Sequence, residues 1–206
     1  MKKTSNTRNL RQTPSQTVGP FFAYGIVPTQ YGYGAGDRFP SLFDGCIANE
    51  RAAGEAIEVI GKVFDGEGKP IPDAVVEILQ ADSNGKYVRG REDAVATGFR
   101  GFGRVGTGTD PGNEFRFQTV KPGPTKDGQA PHLNVIMLMR GLLLHAFTRA
   151  YFEGETANAS DAVLGSVPAP RRRTLIATRE GQRGARQVYR FDIRMQGPDE
   201  TVFFDV

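Results

Sequence analysis

The sequence predicts a mainly β protein, a β-sandwich with a long N-terminal arm and little helix. Short alternating or apolar runs of strand length recur along the chain, and turn residues separate them at short intervals. The composition is rich in turn formers, with 26 Gly and 13 Pro among 206 residues, and it contains no Trp. A chain of this length suits one domain with a sizeable core.

The predicted elements follow from a change of pattern at Ile57. Residues 1–56 hold many chain breakers and several aromatic residues, which predicts an extended arm with loops that packs on a partner subunit. Residues 57–206 carry the sandwich domain. Its strands are predicted at 57–64, 74–80, 114–120, 133–139, 142–152, 187–193 and 200–206, with a helix at 156–164 and a glycine-rich excursion at 88–112. The apolar run 133–139 is expected to be buried on both faces.

Composition and charge argue against several functional classes. The net charge is only +3 and both signs are interspersed, which is a poor basis for nucleic-acid binding. The basic run 171–173 is interpreted as a solvated strand entry or subunit contact rather than a phosphate patch. Cys46 is the only cysteine, which excludes an internal disulfide. No stretch approaches the roughly 20 apolar residues of a membrane span, so a reducing, cytoplasmic setting is expected.

The residues alone do not identify a reaction. His132 and His145 are the only histidines, and neither belongs to a close Ser/His/Asp or His-x-x-x-His grouping. Both are expected to be packed strand residues. A phosphate-cradling Gly-x-x-x-x-Gly-Lys motif is absent from the sequence.

Several motifs nevertheless occur in the order typical of a known family. They are Thr13–Phe21 (TPSQTVGPF), Gly61–Ala74, Gln80–Tyr87, Thr119–Pro124, Ala130–Asn134, Tyr189–Arg194 and Glu200–Asp205. Together they resemble the intradiol ring-cleaving dioxygenases, and the resemblance covers almost the whole chain beyond the first dozen residues. It implies a β-sandwich that works with a ferric ion, Fe(3+), held by two tyrosinates and two histidines.

The resemblance also implies that this chain does not hold that iron. The four ligand positions correspond here to Tyr87, Thr125, His132 and Asn134. A threonine hydroxyl is far less acidic than a phenol, whose pKa is about 10, and the asparagine amide is neutral. The metal is therefore expected in a partner, beta-type subunit of a hetero-oligomer. In this chain, the structural alternatives are a turn-flanking Tyr87 and a strand-edge His132 hydrogen-bonded in the core.

The resemblance suggests that the chain binds the substrate carboxylate. For 3,4-dihydroxybenzoate, Arg140 is the candidate, since a guanidinium donates two parallel hydrogen bonds to a carboxylate. The alternative is an arginine that reaches solvent or a structural aspartate. The arm motif supplies Thr17, Gly19, Pro20 and Phe21, where many relatives have Tyr in place of Phe21. That motif is expected either to contact substrate or only to fasten the subunits.

The function implied is that of a subunit without catalytic residues of its own. Its assembly would cleave 3,4-dihydroxybenzoate with O2 to 3-carboxy-cis,cis-muconate in aromatic catabolism. Two alternatives stay open: a transthyretin-like β-sandwich binding module, and a self-sufficient catechol intradiol dioxygenase. Thr125 and Asn134 argue against the second alternative.

Overall fold

The computed structural model describes residues 17–33 and 43–205, and the motif residues 13–16 lie outside that part of the chain. Within it the protein is mainly β, as predicted, with short helices. The strands are β1 (Ala56–Phe64), β2 (Val75–Gln80), β3 (Phe102–Gly106), β4 (Glu114–Val120), β5 (His132–Leu138), β6 (Ala146–Phe152), β7 (Ile176–Arg183), β8 (Arg186–Arg190) and β9 (Ile193–Arg194). The α-helices are α1 (Phe22–Ile26), α2 (Arg91–Thr97) and α3 (Ala162–Ser166), and 3-10 turns cover Pro28–Tyr31, Thr156–Ala159 and Ala169–Leu175.

The strands form two half-sheets that enclose one core. One half has the order β3-β2-β5-β6, and the other has the order β7-β8-β1-β4 with β9 beside β1. Strand β7 joins them, because it pairs in parallel with β6 at Tyr151 and Ile176 and antiparallel with β8. Val76 and Leu133 from the first half pack in the same apolar cluster as Phe117 of the second. This is the predicted β-sandwich.

The predicted strands 57–64, 74–80 and 114–120 are confirmed as β1, β2 and β4. Strand β5 is also present, but the prediction that both of its faces are buried was wrong. Leu133, Val135 and Met137 are buried, whereas Asn134 and Ile136 between them are partly exposed. The run therefore covers the main core with one face only, and its other face carries polar residues such as Asn134 beside partly exposed apolar ones.

Other elements differ from the predictions for local reasons. The excursion 88–112 contains α2 and β3. Strand β6 begins at Ala146 rather than 142, since the chain turns at Gly141 with φ 92°. Strand β7 was missed because most of its residues are exposed and show no apolar alternation. The predicted helix 156–164 is a 3-10 turn followed by α3. Of the predicted strand 200–206, the described residues 200–205 form one isolated bridge, from Phe204 to Phe147.

The described part of the arm is not extended. Residues 22–31 form α1 and a 3-10 turn, and Ala23 and Val27 are buried against Val75 of the chain's own β2. Ile47 also belongs to the main core, so the sandwich includes residues before the predicted boundary at Ile57. Packing of residues 1–56 on a partner stays a prediction.

The basic run 171–173 lies in a 3-10 turn and pairs within the chain. Arg171 donates to the Glu200 carbonyl at 2.6 Å, Arg172 to the Val167 carbonyl at 2.8 Å, and Arg173 pairs with Asp199. His145 is exposed before β6, which corrects the expectation that it packs in a strand.

None of the helices in the described residues combines the length and the apolar character needed to cross a membrane.

Candidate functional site

The arm and the segment that carries Arg140 meet through a hydrogen bond. The backbone N–H of Gly141 donates to the Thr17 hydroxyl oxygen at 2.9 Å, and that hydroxyl lies 3.5 Å from the Met139 carbonyl. Gly141 adopts the left-handed region, which frees its N–H from the strand ladder at the end of β5. Two predicted site residues that lie far apart in the sequence, Thr17 and Arg140, therefore share one surface.

Arg140 itself is largely accessible. Its side chain is 56% exposed, and its Nε forms an ion pair with Asp73 Oδ2 that lacks hydrogen-bond alignment. Asp73 is less accessible, with its side chain 18% exposed and its Oδ2 buried, so only the arginine of this pair faces solvent. The guanidinium is thus kept near the arm by an aspartate of its own chain, and it retains donors for another carboxylate.

The other arm residues are also exposed. Gly19, Pro20 and Phe21 lie in the turn that enters α1, where the Phe22 N–H donates to the Gly19 carbonyl at 3.1 Å. Phe21 is 76% exposed, with its ring centroid 5.8 Å from that of Tyr24. An aromatic side chain left in water at a turn is suited to contact with another surface.

Two apolar residues that sequence reasoning assigned to a strand enlarge this surface. Leu143 and Leu144 follow Gly141 and are 62% and 65% exposed. Exposed leucines next to each other favour a protein contact over a solvated loop. The sequence did not reveal this exposure, because the apolar run Leu142–Leu144 is as typical of a buried strand as of an interface. We call Thr17, Phe21, Arg140, Leu143 and Leu144 the arm surface.

The four ligand positions form a second group, the degenerate cluster (Tyr87, Thr125, His132 and Asn134). Asn134 projects from the exposed face of β5, and its Nδ2 donates to the Tyr87 hydroxyl oxygen at 3.2 Å and to the Leu79 carbonyl at 3.3 Å. Tyr87 is exposed beside the Asn84-Gly85 turn. The structure thus brings Tyr87 and Asn134 into direct contact.

Thr125 belongs to a turn packed against the turn of Tyr87. Its N–H donates to the Gln129 carbonyl at 3.0 Å, and its hydroxyl donates to Asp127. The backbones of the two turns touch, since a Cβ at Gly85 would lie 1.9 Å from the Pro124 carbonyl oxygen. The Thr125 hydroxyl is therefore engaged with its own turn.

His132 is the first residue of β5 and is buried, as the structural alternative expected. Its Nδ1 lies 2.7 Å from the Ala130 carbonyl, which favours the tautomer with the proton on Nδ1. Its Nε2 is buried without a hydrogen-bond partner in the described residues. Burial lowers the pKa of His132, although the hydrogen bond to Ala130 opposes this effect. The ring is neutral near pH 7.

Sequence reasoning missed a charged residue beside this cluster. Arg149 of β6 lies opposite Asn134 of β5, and its Nη1 donates to Gln129 Oε1 at 2.7 Å and approaches the Tyr151 hydroxyl at 3.4 Å. Tyr151 in turn donates to Asp161 at 3.0 Å. The proximity of Arg149 to Asn134 follows from the register between β5 and β6. The sequence did not reveal it, because the predicted start of β6 was misplaced.

The residues of the degenerate cluster do not fit a ferric ion. The described residues contain no group of three or more His, Cys, Asp or Glu side chains that could hold a metal. Tyr87 and His132 supply one phenol and one imidazole, whereas Thr125 and Asn134 are weak neutral donors engaged in other hydrogen bonds.

Comparisons with known proteins show the family to which the chain is similar. Residues 44–197 match the model of the Dioxygenase family. The chain is 56% identical over 198 residues to the protocatechuate 3,4-dioxygenase alpha chain of Burkholderia cepacia, covering 96% of this chain and 98% of the relative. It is 33% identical over 187 residues to the beta chain from the same organism, covering 82% and 77%. The dioxygenase domain of a carbohydrate-binding fusion from Streptomyces sp. SirexAA-E shares the fold, with a TM-score of 0.59, 24% identity, and coverage of 82% and 96%.

Proposed function

This chain belongs to the intradiol branch of the Dioxygenase family, which uses ferric iron, and we propose a specific role for it within that family. We propose that it is the alpha-type subunit of a protocatechuate 3,4-dioxygenase, the subunit that does not bind the iron. Its beta-type partner supplies all four iron ligands. The assembly cleaves 3,4-dihydroxybenzoate with O2 between the two hydroxyl-bearing carbons. The high identity to an alpha chain over nearly the full length of both proteins supports this assignment.

The observation that carries the proposal is the contact between Thr17 and Gly141. It joins the arm motif to the Arg140 segment on one exposed surface, while Thr125 and Asn134 weaken the chain's own metal site. The groups proposed to bind substrate therefore lie on the arm surface and not at the degenerate cluster. This arrangement is suited to a chain that contributes these groups to the active site of another chain. The exposed side chains of Phe21, Leu143 and Leu144 are suited to the contact with that chain.

Arg140 binds the substrate carboxylate in this proposal. A carboxylate that enters a closed interface loses its water, so it requires a cationic donor at that point. The guanidinium of Arg140 exchanges its pairing with Asp73 for this carboxylate, or donates to both through different N–H groups. The arm residues Thr17, Gly19, Pro20 and Phe21 form the adjoining wall.

The proposal is tested by preparing the chain alone and together with its beta-type partner. Iron content, visible absorbance and cleavage of 3,4-dihydroxybenzoate are measured on both samples. We expect the chain alone to be colourless and inactive, and the complex to contain ferric iron and to be active. An iron-containing, active chain alone would instead identify a self-sufficient dioxygenase, and an inactive complex would favour a binding module.

A further inference from the structure

We propose that Arg149 excludes metal ions from the degenerate cluster, so that the loss of two ligands is not the only reason for a chain without iron. The inference rests on the proposed ligand positions Tyr87, Thr125, His132 and Asn134. It assigns to this chain a residue that determines which subunit of the pair carries the metal.

The strand register places Arg149 on the same face as two of these positions. In the antiparallel pair of β5 and β6, Asn134 lies opposite Arg149 and His132 lies opposite Tyr151. Directly opposed residues project to the same side of a sheet, with Cβ atoms about 5 Å apart. The base of the Arg149 side chain is therefore adjacent to Asn134.

The guanidinium of Arg149 reaches the turn that carries the third ligand position, Thr125. Arg149 Nη1 donates to Gln129 Oε1 at 2.7 Å, and the Gln129 carbonyl accepts from the N–H of Thr125 at 3.0 Å. Arg149 thus extends from the strand of Asn134 to the turn of Thr125, which are the two positions that lack a strong ligand. A positive charge therefore lies next to the two positions at which a ferric ion would need anionic donors.

The charge of Arg149 is only partly offset, because in the described residues the nearby carboxylates are bonded to its two hydrogen-bond partners and not to Arg149 itself: Gln129 Nε2 donates to Asp127 Oδ2 at 2.5 Å, and the Tyr151 hydroxyl donates to Asp161 at 3.0 Å. Its hydrogen bonds within the described residues go to neutral groups, the Gln129 amide and the Tyr151 hydroxyl. Without that offset, and at an effective dielectric constant of about 20, a unit positive charge about 4 Å away would weaken binding of a monovalent cation by a factor on the order of a thousand. The two carboxylates reduce this factor, so an effect of roughly tenfold is expected.

A purely structural role is the alternative, in which Arg149 only braces the turn 125–129 through Gln129. The two roles separate on substitution. Arg149→Lys keeps the positive charge, whereas Arg149→Gln removes it and retains an amide donor for Gln129. If Arg149 only braces the turn, both substitutions should change iron retention in the same way. If its charge excludes the metal, only Arg149→Gln should increase iron retention.

The test restores the ligand types and varies the charge. The full chain carrying Thr125→Tyr and Asn134→His is prepared with Arg149, with Arg149→Lys or with Arg149→Gln. Each is incubated with ferrous ammonium sulfate in air and desalted, and iron per chain and visible absorbance are measured. We expect the Arg149→Gln protein to retain at least about tenfold more iron than the other two and to absorb visible light.

Equal iron in the proteins with Arg149 and with Arg149→Gln, whether high or low, overturns the proposal, and so does equal iron in the Arg149→Lys and Arg149→Gln proteins. Circular dichroism verifies the fold of each protein. If the proteins with both restored ligands unfold, the same comparison is made with Asn134→His as the only restored ligand. Activity of the complex with a beta-type partner is scored separately, so failure of the proposed function does not affect the iron measurement.

Discussion

The Thr17 hydroxyl accepts a hydrogen bond from the backbone N–H of Gly141 at 2.9 Å, and this contact sets the N-terminal arm beside Arg140. The arm is anchored a second time by Ala23 and Val27, which are buried against Val75. The apolar anchor fixes α1 on the sheet, and the hydrogen bond fixes the chain that precedes it. The orientation of the arm surface therefore depends on both the apolar anchor and the hydrogen bond.

Substitution of Thr17 by Val is expected to impair substrate binding more than stability. The change removes the acceptor for Gly141 at an exposed site, which costs about 0.5–1.5 kcal/mol for a neutral hydrogen bond. We expect KM for 3,4-dihydroxybenzoate to rise several-fold in the complex with a beta-type partner, with a small change in Tm. Thr17→Ser, which keeps the hydroxyl, is the matched control. Equal kinetics for the Val and Ser variants would contradict a positioning role for this contact.

Arg140→Ala is expected to weaken binding of the substrate carboxylate. A hydrogen bond to a charged group is worth about 1.5–3 kcal/mol, so KM should rise roughly 10- to 150-fold. The effect on catechol, which has no carboxylate, should be small. Steady-state kinetics of the complex with both substrates measure the difference.

Arg173→Ala is the control for Arg140→Ala, since Arg173 is a similarly exposed arginine paired with one aspartate, Asp199. It should leave KM for both substrates unchanged. A similar loss with both substrates on Arg140→Ala would show that the arginine acts through its pairing with Asp73 and the shape of the surface, rather than on the carboxylate.

The sequence predicted the sandwich and most of its central strands because β1, β2 and β4 combine burial with clear turn signals at their ends. It could not predict β7, which is held by backbone pairing to β6 and β8 while most of its side chains face water. The same limit applies to Arg149. Its proximity to Asn134 depends on strand register, a long-range property that local periodicity does not encode.

The arm shows a different limit. Its breakers correctly excluded a long helix, but short helical turns such as α1 depend on packing against Val75 and Leu138 rather than on propensity. The contact of Thr17 with Gly141 likewise joins residues 124 positions apart. The motifs Thr17–Phe21 and Arg140 could be singled out in the sequence, but their proximity could not.

Gly85→Ala is expected to separate the turns that carry Tyr87 and Thr125. Gly85 has φ 74°, and an added Cβ would lie 1.9 Å from the Pro124 carbonyl oxygen. The left-handed backbone costs about 1–2 kcal/mol for a non-glycine residue, and the clash with backbone adds to it. We expect a total loss in the free energy of unfolding of at least about 3 kcal/mol, measured by urea denaturation.

Gly68→Ala separates the two contributions to this loss. Gly68 has φ 77°, but an added Cβ would meet nothing within 4 Å, so it carries the backbone cost without the clash. It should destabilise the protein by only about 1–2 kcal/mol. Equal losses at both positions would mean that the turns of Gly85 and Pro124 move apart freely.

Tyr151→Phe is expected to change how stability depends on alkaline pH. Burial, together with the nearby Asp161 carboxylate, raises the pKa of Tyr151 to about 12, whereas an unfolded tyrosine titrates near 10. The folded state therefore resists ionisation of this phenol. Its contribution to stability is fully present below pH 10 and is lost as the pH rises from about 10 to about 12.

The wild-type protein should therefore lose about 1 kcal/mol more than Tyr151→Phe between pH 8 and pH 11, measured by urea unfolding at both values. At pH 8 the variant itself should be less stable by about 1–3 kcal/mol, because the buried Asp161 loses the hydroxyl that donates to it at 3.0 Å. Tyr33→Phe, at an exposed tyrosine, is the control and should follow the wild type at both pH values. If Tyr151→Phe loses as much stability as the wild type at pH 11, the phenol ionises in the folded state, and its burial beside Asp161 does not hold the proton.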